Sequence, residues 1–72
     1  MTVYEIMKAL KYQKFSFNTK DGEDLTIDEY DFEELKQAIE YCETEEEQLL
    51  EELSEKRVLN INMELNIITV EG

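Results

Sequence analysis

No histidine occurs among the 72 residues. The commonest general base and the commonest transition-metal ligand are therefore both absent. Two serines, Ser16 and Ser54, have no imidazole partner for triad chemistry. Cys42 is the sole cysteine, which excludes an intrachain disulfide framework and a thiolate zinc site. Its place on the apolar seam of a helix marks it as a small core residue. Two glycines, Gly22 and Gly72, leave no phosphate-cradling loop. Catalysis is not expected, and neither is a cofactor. No apolar run approaches the roughly 18 residues of a membrane span, and the first residues lack the basic and apolar regions of a signal peptide. The expectation is one domain, residues 1–72, in the cytoplasm of a bacterial cell.

Bases are scarce where acids are dense. Between Asp21 and Glu55 lie sixteen acidic residues and one base, Lys36, a net of −15 in a chain of net charge −12. Such a field acts on partners more than on topology, and it excludes direct binding to phosphate backbones. A strongly basic protein is the partner it predicts. Hydrophobic content of 42% is still enough for a core.

Val3, Ile6, Met7 and Leu10 recur with helical spacing, and Thr2 with Glu5 forms a capping box. The period then changes to two: Phe15 and Phe17 face one way, Lys14, Ser16 and Asn18 the other. Asp21-Gly22 suits a tight hairpin turn, after which Leu25 and Ile27 predict a second strand. Asp31 with Glu34 caps another helix, in which Phe32, Leu35, Ile39, Cys42, Leu49 and Leu53 form a seam interrupted by Glu46. Thr44 with Glu47 is a further capping box, so residues 32–55 are either one helix or two, with a break at Glu43. One straight helix would run roughly 36 Å. Leu59, Ile61 and Met63 alternate as a strand. Ile68 and Val70 fall out of step, which predicts a turn at residues 64–66 with Asn66 left-handed. The fold expected is α+β in two layers, with helices on one face of about four antiparallel strands, in the order α-β-β-α(α)-β-β.

The carboxylates are the only chemistry in quantity. An EF-hand alignment on Gly22 fails at Phe17, the first ligand position; Asp21, Glu23, Asp24 and Asp28 at most gather a weak ion, and no metal is assigned. Glu43, Glu47, Glu51 and Glu55 lie four apart, so a helix would set them about 6 Å apart along its axis, comparable to the step between phosphates. Like charges at that spacing cost about 0.2–0.5 kcal/mol per pair, and no base from Gln37 to Ser54 offsets them. The partner-binding residues expected are Glu43, Glu46, Glu47, Glu51 and Glu55, with Asp21, Glu23, Asp24 and Asp28 as a second patch. Tyr30 either anchors the partner or closes the edge of the core.

The layout resembles the small acidic anti-CRISPR proteins of phages and prophages. It is carried by the opening Met1-Thr2-Val3-Tyr4-Glu5-Ile6-Met7-Lys8-Ala9-Leu10-Lys11, by Phe15-Ser16-Phe17, by the Asp-Gly turn and by the Glu-rich centre. The start looks most like the Cas9-inhibiting members. The resemblance implies an inhibitor that binds a guide-RNA-loaded Cas nuclease at its PAM-reading surface and competes with DNA as an acidic mimic. The other reading is a structural or regulatory interaction module. It would be a homodimer through the 32–55 seam, with the acids as a solubilising rim.

Overall fold

A computed structural model describes residues 1–71. The elements are α1 (Val3–Ala9), β1 (Ser16–Thr19), α2 (Phe32–Tyr41), α3 (Glu45–Ser54), β2 (Val58–Asn62) and β3 (Ile67–Val70). Each helix starts at a reciprocal capping box. The Thr44 hydroxyl accepts from Glu47 N at 3.1 Å, and the Glu47 carboxylate accepts from Thr44 N at 3.1 Å. The Asp31–Glu34 box closes the same way at 2.9 and 3.2 Å. All three boxes stand where the spacing puts them, because each satisfies amide donors that a helix start leaves without partners.

The α+β class holds, but the strand count and order do not. The sheet has three strands in the order β1-β3-β2, with β1 parallel and β2 antiparallel to the central β3. The element order is α-β-α-α-β-β, so the expected second strand is missing. Its segment does return beside β1, yet it bridges only at Asp24 to Asn18 and at Tyr30 to Phe15. Between those bridges six steps of returning chain face three of β1, and the surplus loops out. Phe17 N then finds the Thr26 hydroxyl at 3.2 Å in place of a ladder carbonyl. Leu25 is half-buried while Ile27 is fully exposed. The alternation of Leu25 and Ile27 is real in the sequence and is undone by the extra residues.

The helical centre breaks. Cys42 takes the left-handed conformation (φ +48°), its N–H bonds Ala38 O, and Thr44 restarts the helix. A straight helix of roughly 36 Å would exceed the longest extent, 28 Å. The break also resets the helical phase, so the expected seam is corrected. Phe32, Leu35 and Ala38 face inward from α2, and Leu50 and Leu53 from α3, whereas Ile39 lies outside. Cys42 is half-exposed at the junction rather than a core residue. No continuous 32–55 seam is left for coiled-coil pairing.

In β2 a bulge between Val58 and Asn60 changes the strand's phase. Val58 pairs with buried Val70 and Ile61 with buried Ile68, so inward residues stand three apart and Leu59 is displaced to the surface. Asn66 is left-handed (φ +56°), as the out-of-step Ile68 requires. The Asn62 side chain staples the turn by accepting from Glu64 N and Leu65 N at 3.0 and 2.9 Å. The core joins Val3 and Met7, Phe15 and Phe17, Tyr30, the inward residues of α2 and α3, and Ile68 and Val70. Each large member contributes about 1.5–3 kcal/mol by leaving water. The opposite sheet face is uncharged: Asn18 and Asn60 flank Thr69, Ser16 and Asn62 flank Ile67, and the Thr69 hydroxyl bonds Asn18 at 2.7 Å.

Candidate functional site

The returning chain after β1 runs beside α3, and this brings the two acidic segments together. Asp28 from the loop and Glu45 and Glu46 from the first turn of α3 line one shallow groove together with Leu25, Tyr30, Leu49 and the exposed Ile27. Next to it opens a larger cleft of about 890 Å³. Asp21, Glu23 and Glu52 stand on its rim, with Leu25, Leu49 and Leu53 inside. Leu25 and Leu49 belong to both, so the acids form one continuous face. Lys20, Lys56 and Arg57 also line the larger cleft, which makes it mixed in sign.

Among the described residues the ion pairs are Lys14–Glu34 at 3.1 Å and Lys36–Glu33 at 3.7 Å. Neither neutralises the acid face. The first also raises the Lys14 pKa through its hydrogen bond to Glu34. Glu45, Glu46 and Glu47 stand in the first turn of α3, where the helix dipole favours negative charge. Their placement therefore costs less than a run of three glutamates suggests.

The stripe read from the sequence is only partly free. Glu43 lies between the helices and Glu55 caps the end of α3; both are exposed. Glu47 and Glu51 are half-buried and turn inward. The Glu47 carboxylate accepts from Glu43 N at 3.2 Å as well as from Thr44 N. Glu51 accepts from the Cys42 thiol at 3.6 Å. Burial, then this carboxylate, raises the Cys42 pKa. Glu46 remains exposed but binds the Tyr30 hydroxyl. Tyr30 is buried, with burial first and Glu46 second pushing its phenol above the ordinary tyrosine range. Of its two expected roles, closing the core edge is the one its position fits. Asp21, Glu23, Asp24 and Asp28 are exposed around the turn and loop.

Sequence reasoning passed over Glu45, Glu52 and Ile27. The first two were findable, because positions 45, 49 and 52 share a helix face with Leu49 at their centre. Ile27 was not, since its exposure follows from the loop's extra residues. Among the described residues no three carboxylate or thiol side chains come together to hold a metal ion. No helix among them is long and apolar enough to cross a membrane. No family model, curated protein or solved structure matches this chain.

Proposed function

We propose that the chain is a non-enzymatic inhibitor of a nucleic-acid-binding enzyme, acting as an acidic DNA mimic in the bacterial cytoplasm. The observation that supports this most is the convergence of Asp21, Glu23, Asp28, Glu45, Glu46 and Glu52 on two adjoining clefts, where among the described residues none of them forms an ion pair. Carboxylates that no base of their own chain pairs with stay available to the arginines and lysines that otherwise hold phosphates, even with Lys20, Lys56 and Arg57 in the same cleft. A Cas9-type nuclease is the target proposed, on the resemblance in layout and charge, with the PAM-reading arginines as the competed surface. Apolar Ile27 and Leu49 within the same face supply contact area that charge alone lacks.

The test is competition between the purified protein and target DNA for guide-loaded Cas9, at low and moderate salt. Displacement of DNA that weakens as salt rises is the expected result. Undisturbed DNA binding removes this target. The Asp28→Lys/Glu45→Lys/Glu52→Lys variant, altered only at exposed positions, folds and loses at least about tenfold in inhibition, because each reversed contact turns attraction into repulsion. Full inhibition by the folded variant would discard the mimic mechanism.

A further inference from the structure

Residues 58–70 carry a single charge, Glu64, in a chain that is 36% charged. They form β2, its turn and β3. β2 is an edge strand whose outer side, among the described residues, is met only at its start, where Val58 N donates to Met1 O at 2.8 Å and Val3 N to Lys56 O at 3.0 Å. Edge strands ordinarily carry a lysine, a proline or an inward charge that prevents another strand from adding. β2 (Val58–Asn62) and Met63 after it have none of these; the one such device is the bulge at the strand's start, between Val58 and Asn60, and the stretch Asn60-Ile61-Asn62 beyond it pairs in regular register. Met1, Leu59, Met63 and Leu65 are exposed around it.

We propose that β2 pairs antiparallel with β2 of a second copy, centred on Ile61, to give a continuous six-stranded sheet about a two-fold axis. In that register Asn60 lies opposite the partner's Asn62, Leu59 opposite the partner's Met63, and Ile61 opposite its own copy. Amide meets amide and apolar meets apolar, the pairings that stabilise antiparallel strands. A slip by one residue would set asparagine against the apolar side chains, so the register is specified. The occupant is a second copy because the strand is complementary to itself, and because two chains of −12 meet least repulsion where charge is absent. This surface is separate from the acid face and does not depend on the proposed target.

Sedimentation equilibrium tests it, at ionic strength of about 0.15 M to screen the acids and from about 10 µM to about 1 mM for a small interface. The mass should rise from 8.6 kDa toward twice that value. Asn62→Asp keeps an acceptor oxygen for the turn amides and is used in both variants. Asn60→Asp/Asn62→Asp sets carboxylates opposite each other and should leave a monomer. Asn60→Lys/Asn62→Asp sets opposite charges across the axis and should restore the dimer. A mass of 8.6 kDa throughout for the unaltered chain, or a dimer indifferent to both variants, would overturn the proposal. Should the di-aspartate variant fail to fold, isotope-filtered NMR on mixed labelled and unlabelled wild-type protein decides. Contacts between copies at Ile61 are expected, and a dimer without them rejects the β2 pairing.

Discussion

Tyr30 and Cys42 do at single positions what no element does by itself. The Tyr30 ring is part of the core, and its hydroxyl ties the loop after β1 to Glu46 on α3. Tyr30→Phe should cost about 1 kcal/mol at neutral pH, because the carboxylate it releases is exposed and rehydrates. Urea unfolding measures this. The phenol's pKa is raised in the folded chain, so its contribution is complete below the unfolded value of about 10 and is lost as pH climbs beyond it. The denaturation midpoint of the wild type should therefore fall more steeply above about pH 10 than that of Tyr30→Phe. Cys42 ends α2 in a conformation that glycine adopts freely. Cys42→Gly should raise the denaturation midpoint and Cys42→Val lower it, despite the lost thiol contact with Glu51. Neither role was legible beforehand. Tyr30 allowed two readings, and Cys42 sat in an apolar series that continues only if the helix does.

The helices show which parts of a sequence speak locally. Thr2, Asp31 and Thr44 each satisfy their own helix start with a glutamate three residues on, so three starts were legible without any tertiary information. Thr44→Ala removes the hydroxyl that receives Glu47 N and frees the start of α3 to fray. A loss of about 1 kcal/mol is expected, read by thermal or urea unfolding. Ile27→Ser should leave stability unchanged, since the side chain is wholly in water, and a loss in urea unfolding would show that Ile27 packs against the chain in solution. The sheet was less legible, because a strand's partner is chosen by chain far away in sequence. The Leu25 and Ile27 alternation suits a hairpin, yet β1 forms its ladder with β3, Ser16 opposite Ile67. Likewise the Leu59, Ile61 and Met63 alternation conceals a bulge that only the pairing of Val58 with Val70 reveals.

Across the whole molecule, charge is the dominant feature, and acids from two separate segments meet. The acids of the loop and α3 share a face, while the outer sheet surface is neutral. Uncompensated repulsion on that face weakens as salt screens it, so the melting temperature should rise between about 0.01 and about 0.5 M sodium chloride. A flat or falling curve would mean that the carboxylates do not repel one another measurably across that face. The density of acids was legible from the run of glutamates; which of them stand free was not, because Glu47 and Glu51 are hydrogen-bonded at the helix junction. The sheet's central strand also has a consequence for how the protein is made. β3 separates β1 from β2 and follows both in the chain. A ribosome that has released β1, both acidic helices and β2 has yet to supply the one strand they need. Until Val70 emerges, Phe15 and Phe17 have no ladder to complete and the core stays open. The acidic stretch is by then already in solution, where its repulsion keeps neighbouring nascent chains apart during the interval in which they are most able to stick.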